Sequence, residues 1–85
     1  MKLFETSKFK HQRKKIKEIE EKEALRRAIS GVLVNPEKGK KLKGEFREFR
    51  SIKYSVKGQS RRLIYKAVND TVILLSFGPR GSVYK

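Results

Sequence analysis

RRLIYKAVNDTVILLSF (61–77) is the segment of this chain that speaks most directly about architecture. Residues 61–68 mix charged and apolar side chains as a half-buried strand does. Asn69-Asp70 suits a tight hairpin turn, and VILLSF (72–77) is apolar on both faces. Such a strand is covered on one side by helices and on the other by a curved sheet or a partner. Upstream, residues 46–56 alternate imperfectly and Lys57-Gly58-Gln59-Ser60 reads as a turn, so three strands follow one another in the second half.

The first half has helical spacing. Leu3 and Phe4 form a short extended opening, and Glu5-Thr6-Ser7 supplies hydroxyls suited to capping a helix. From about Lys8, Phe9, Ile16 and Ile19 make a thin apolar stripe. Leu25, Ala28, Ile29, Val32 and Leu33 make a clearer one, ended by Asn35-Pro36. A break near residues 20–23 makes the two helices a hairpin; one long bent helix is the alternative. Glu18 with Lys22 and Glu23 with Arg27 are i,i+4 pairs that support helix and say little about function. KGKKLKG (38–44) is a basic loop with Leu42 as its apolar anchor. The expected order is β-α-α-β-β-β, an α+β fold with a helical hairpin packed on a small twisted antiparallel sheet.

Composition narrows function. At 85 residues the chain has room for a single domain, 1–85. Its net charge of +14, from 23 Lys and Arg against 9 Asp and Glu, exceeds what solubility needs and points to a polyanionic partner, nucleic acid first and an acidic protein second. There is no cysteine, and His11 is the one histidine, so disulfides and thiolate sites are excluded and a zinc site or a His-centred triad is disfavoured. No apolar run suits a signal peptide or a membrane span, and the expected location is the cytoplasm.

Strand alternation puts Arg62 on one face with Ile64 and Lys66, and Arg61 on the other with Leu63 and Tyr65. Lys53 shares its face with Ser51 and Ser55. If the strands are neighbours, cations from separate strands converge. Arg61, Arg62 and Lys66 are then either solvated strand residues or a phosphate site, for which Arg offers a planar fork and Lys a point charge. Gly78-Pro79 bends the chain after the most apolar strand and carries Arg80 at a strand end, with Tyr84 four residues on.

Leu42-Lys43-Gly44, then Arg62-Leu63-Ile64-Tyr65, then an apolar strand, then Gly78-Pro79-Arg80-Gly81-Ser82-Val83-Tyr84 together resemble the RelE/ParE superfamily of toxins from type II toxin–antitoxin systems. The resemblance is specific in the half after Pro36; the helical half matches in length and pattern. It implies a RelE-like microbial ribonuclease fold and a ribosome-dependent endoribonuclease that cuts messenger RNA in the ribosomal A site, inhibiting translation. It also implies a cognate antitoxin as partner besides ribosome and mRNA, with no metal, no cofactor and no membrane. The family's cationic and tyrosine positions fall on Lys53, Arg62, Arg80 and Tyr84, with Lys53 displaced by a longer turn before Arg62.

Attack of the RNA's own 2′-hydroxyl needs a base, positive charge around the crowded phosphate, and an acid for the departing 5′-oxygen. With no histidine after residue 11, base and acid come from Lys, Tyr, Glu or the ribosome. Lys53 is a candidate base, Arg62 and Arg80 candidate phosphate ligands, and Tyr84 either stacks on a base or moves a proton. The histidine that one branch places before the final tyrosine is Val83 here, and many relatives continue past the tyrosine into a C-terminal helix where this sequence stops at Lys85. The Lys-rich first helix (Lys10, Arg13, Lys14, Lys17), the basic loop (Lys40, Lys41, Lys43), and Arg61 and Lys66 are read as RNA and ribosome footprints that give salt-dependent affinity without sequence choice. The rival readings are a ParE-like poison of DNA gyrase and a non-catalytic RNA- or ribosome-binding domain.

Overall fold

The computed structural model describes residues 1–79 of the chain. Five strands and two helices follow in the order β1 (Lys2–Glu5), α1 (Ser7–Lys14), α2 (Ile19–Val34), β2 (Lys40–Lys41), β3 (Arg50–Val56), β4 (Gln59–Val68) and β5 (Thr71–Gly78), with one 3-10 turn at Gly44–Phe46. The expected α+β class and helix–sheet packing are observed. The sheet runs β1-β5-β4-β3-β2. Its four later strands are antiparallel, while β1 lies parallel to β5, with Lys2 opposite Thr71 and Glu5 opposite Leu74. A parallel neighbour needs a long crossover, and the helices together with β2, β3 and β4 supply it.

The two hairpins are tight because their turn residues accept left-handed backbone. Lys57 and Gly58 have φ of 52° and 80°, as a two-residue type I′ loop requires. Gln59 and Ser60, expected in that turn, belong instead to β4. Asn69, at φ 54°, opens the second turn. The strand expected to begin at residue 46 begins at Arg50. Gly44–Phe46 curls into the 3-10 turn, and Phe46 packs edge-on against Phe49 with ring centroids 6.2 Å apart.

Thr6 caps α1: its hydroxyl accepts from the Phe9 N–H at 3.1 Å. The break between the helices falls at residues 15–18, earlier than expected. Ile16 and Ile19 fit one helical stripe by spacing, yet Ile16 is buried in the connection and Ile19 is 76% exposed. The expected i,i+4 pairs also find other partners: Glu18 binds Lys57 of the β3–β4 turn, and Glu23 binds Arg26 at 3.5 Å.

The core lies between the helices and one face of the sheet. Phe9, Ile16, Leu25, Ala28 and Val32 meet Leu63, Tyr65, Val72, Leu74 and Phe77. A bulge in β5 makes this set possible. Ile64 stands opposite Ser76 and Tyr65 opposite Leu74, leaving Leu75 as the extra residue. Beyond it the alternation changes phase: Phe77 turns inward onto Phe9, 5.2 Å between rings, and Ser76 leaves the helix side. A bulge frees backbone groups, and α1 satisfies them. The Thr6 hydroxyl lies 3.0 and 3.1 Å from the carbonyls of Leu74 and Leu75, and the Gln12 side-chain oxygen accepts from the Phe77 N–H at 3.2 Å.

Candidate functional site

The face of the sheet turned away from the helices carries two of the expected site residues. Lys53 on β3 and Arg62 on β4 are direct cross-strand partners. Side chains so placed have Cβ atoms about 5 Å apart, and like charges in that position repel. Lys53 is exposed and has no hydrogen bond or ion pair among the described residues. Arg62 is half-buried; its guanidinium reaches the hydroxyl of buried Ser51 at 3.4 Å. Opposite Arg62 on the other side stands Gly78, at φ 146°, which any Cβ-bearing residue would strain. Two uncompensated cations side by side, with a hydroxyl beneath one, form a place for an anion.

The expected site residues separate into groups. Lys53 and Arg62 come together. Lys66 shares their face but is held by Glu48 at 3.6 Å, with its ammonium 5.8 Å from the centroid of the Phe49 ring. Lys40 and Lys41 form β2 beside Ser51 and Arg50, so the basic loop flanks the same end of the sheet, and exposed Lys43 precedes the 3-10 turn. Arg61 faces the opposite way, toward the helices, 4.0 Å from Glu21. Lys10, Arg13 and Lys14 lie on α1, which packs on β5 and β1 at the far side of the sheet, and Lys17 follows in the link to α2. Arg13 donates to Glu5 from Nε and Nη2, at 2.6 and 3.2 Å, which holds its guanidinium more firmly protonated than usual. Arg80 and Tyr84 lie outside the described residues.

The Arg62-Leu63-Ile64-Tyr65 run acquires a physical meaning. Arg62 presents charge outward, and Leu63 enters the core. Ile64 is fully buried in the row Ser51–Ile64–Ser76, on Arg62's face. Tyr65 crosses the core to the loop after α2, where its hydroxyl donates to the Pro36 carbonyl at 2.7 Å and accepts from the Gly39 N–H at 2.9 Å. Burial pushes that phenol above its ordinary pKa. Arg50 completes the clamp by donating to the carbonyls of Glu37 and Gly39, at 3.2 and 2.9 Å. This loop delivers β2 and its lysines to the edge of the charged face. Sequence reasoning missed the clamp because its acceptors are main-chain groups; the clue was Gly39, where a Cβ would lie 2.6 Å from the Tyr65 hydroxyl.

A family model described as the ParE-like toxin of type II bacterial toxin–antitoxin systems matches residues 3–85. The chain belongs to this toxin family. Among solved structures, the toxin is similar to a chain of the intact E. coli RelBE toxin–antitoxin complex, with TM-score 0.74 and 19% identity over 92% of this chain and 94% of that one. It is similar also to a mutant of free E. coli toxin RelE, with TM-score 0.71 and 21% identity over 95% and 85%. A copper-bound mutant toxin from Helicobacter pylori gives 0.62 and 21% over 95% and 96%. At these identities the likeness is one of fold. No curated protein sequence matches the toxin. Among the described residues no helix is long and apolar enough to cross a membrane, and no three His, Asp or Glu side chains gather as a metal site would require.

Proposed function

We propose that the toxin is a ribosome-dependent endoribonuclease that cleaves messenger RNA in the A site and so inhibits translation, held in check in the cytoplasm by a cognate antitoxin. The observation that supports this reading best is the pairing of Lys53 with Arg62 on the helix-free face. In the proposed reaction the 2′-oxygen attacks the adjacent phosphorus, its proton passes to a base, the P–O5′ bond breaks, and the 5′-oxygen takes a proton. The products are a 2′,3′-cyclic phosphate and a 5′-hydroxyl. Arg62 neutralises the charge that gathers on the phosphoryl oxygens, a role for which its fork over Ser51 is already oriented. Lys53, one strand away, receives the 2′-proton on its amine nitrogen, a step open to its neutral form, and becomes the ammonium. Arg80 adds a second phosphate ligand, and Tyr84 stacks on a base or shuttles the leaving-group proton; both assignments rest on the family resemblance. Nothing in this scheme calls for a metal.

Primer extension on a defined mRNA with purified ribosomes tests the proposal. Wild-type toxin should cut within the A-site codon only when ribosomes are present, and Arg62→Ala and the Arg80→Ala, Tyr84→Phe double variant should not. A ribosome-bound wild type that leaves the message intact rejects it. The ParE-like description of the matching family favours a second reading, poisoning of DNA gyrase. Accumulation of gyrase–DNA cleavage complexes with no RNA cut would establish that alternative.

A further inference from the structure

Between α2 and the edge strand β3 lies a groove of about 220 Å³ that is separate from the face just described but meets it at Lys53. Its α2 wall is built from the small residues Ala24, Ala28 and Gly31, and three cations, Arg27, Lys38 and Lys53, line it. The Lys38 ammonium lies 3.6 Å from where a Cβ on Gly31 would sit, so it is drawn in over the helix.

Five of the toxin's nine carboxylates are committed elsewhere. Glu5, Glu18, Glu21, Glu23 and Glu48 hold Arg13, Lys57, Arg61, Arg26 and Lys66. Arg27, Lys38 and Lys53 have no ion pair among the described residues, and no carboxylate lines the groove; Glu20 and Glu23 line an adjoining hollow that Arg27 also borders. The edge of β3 adds donors. β2 covers only Arg50 and Ser51, so from Ile52 onward no strand among the described residues pairs with the outer side and alternate N–H groups point away from the sheet. The groove is too small for a helix about 10 Å across, but it admits a phosphate and its sugar.

We infer that this groove is a phosphate subsite for a single RNA strand, carrying its backbone from the Lys53–Arg62 pair around the β3 edge to Arg27 and Lys38. The inference rests on the ribonuclease reading for its ligand, yet it can fail separately. The probe is a labelled oligoribonucleotide, 2′-O-methylated throughout and therefore uncleavable, with affinity followed by fluorescence anisotropy from low to moderate KCl. Two neutralised phosphates contribute about 1.4 to the slope of log K against log salt, so Arg27→Gln with Lys38→Gln should lower the slope by about that much and weaken binding about tenfold near 0.1 M salt. Lys2→Gln with Lys22→Gln removes the same charge elsewhere and should leave the slope within about half a unit of wild type.

If the groove variant keeps the wild-type slope, if the control loses as much, or if wild type does not bind the probe, the subsite is overturned. A Glu-rich peptide that binds through Arg27 and Lys38 while the oligonucleotide does not would overturn it in favour of an acidic protein ligand. If the slope falls as expected and ribosomal mRNA is not cut, the subsite stands and the ribonuclease reading falls.

Discussion

The two faces of β4 make opposite demands on neighbouring residues. Toward the helices, Leu63 and Tyr65 are fully buried, and the polar end of Tyr65 finds both a donor and an acceptor in the loop after α2. On the other face Arg62 stands beside a second cation, with the Ser51 hydroxyl as its hydrogen-bond partner among the described residues. The first face is arranged as a folded protein needs. The second buries Ile64 as well, but at Arg62 it is arranged against that need, since a fold seeking stability alone would place a carboxylate opposite Arg62. Because the side-chain period of a strand is two, one strand holds stability and chemistry as separable properties.

That separation can be broken first at its sharpest point. Arg62→Ala should lower ribosome-dependent cleavage by about a hundredfold or more while the melting temperature barely moves. Its neighbour Leu63→Ala should cost about 2–5 kcal/mol in denaturant unfolding. An Arg62→Ala protein that cuts normally, or unfolds as Leu63→Ala does, would erase the contrast. Gly39→Ala drives a methyl into the Tyr65 hydroxyl and should cost about 1–3 kcal/mol. In a Tyr65→Phe background part of that penalty should vanish, because the colliding oxygen is gone.

Tyr54 sharpens the comparison from the helix side. Its hydroxyl is buried with no hydrogen-bond partner among the described residues, and burial, with Glu21 nearby, pushes its pKa up to about 12. Tyr54→Phe should therefore be neutral or stabilising by about 1 kcal/mol. The linkage runs in one direction: the unfolded chain releases this proton near 10 and the folded one near 12, so wild type should lose stability between those values and Tyr54→Phe should lose less. Alkaline thermal melts of the two proteins measure it.

The smallest effect belongs to Glu18, whose carboxyl is held below its usual 4.5 by a hydrogen bond from Lys57. A depressed carboxylate stabilises the fold above its unfolded pKa and ceases to do so as the pH falls through the folded one. Any advantage of wild type over Glu18→Gln should thus be present at neutral pH and be lost as the pH falls below the ordinary carboxylate range in parallel melts. The pair is fully exposed, so the difference at neutral pH should be slight and shrink with salt.

What the sequence made legible follows the same division between local and distant causes. The hairpins could be read because Lys57-Gly58 and Asn69 carry their own turn chemistry, and the opposed faces of Arg61 and Arg62 follow from strand period alone. The parallel pairing of β1 could not: four mostly exposed residues contain no statement of which strand they will join. β2 was hidden because it pairs through main-chain groups, and its lysines read as loop. The helix break was misplaced because spacing cannot tell buried Ile16 from exposed Ile19. Of the site, the Lys53–Arg62 pair was legible once the strands were aligned. Arg27 and Lys38 were not, since their approach depends on how α2 crosses the β3 edge.

The place of β5 in the sheet has a consequence for how the chain acquires its shape. β5 is an interior strand, between β1 and β4, yet it comes last in sequence among the described strands, and its parallel partner β1 begins 69 positions earlier. The closing contacts therefore span almost the whole chain, a topology of high contact order in which nothing upstream can seal its core alone. During synthesis α1, which packs on β5 and β1, waits with its apolar face uncovered until residues 71–78 exist. A message interrupted anywhere before that point should yield an unfolded fragment for proteolysis, and never a weakened toxin: the fold admits no partial dose.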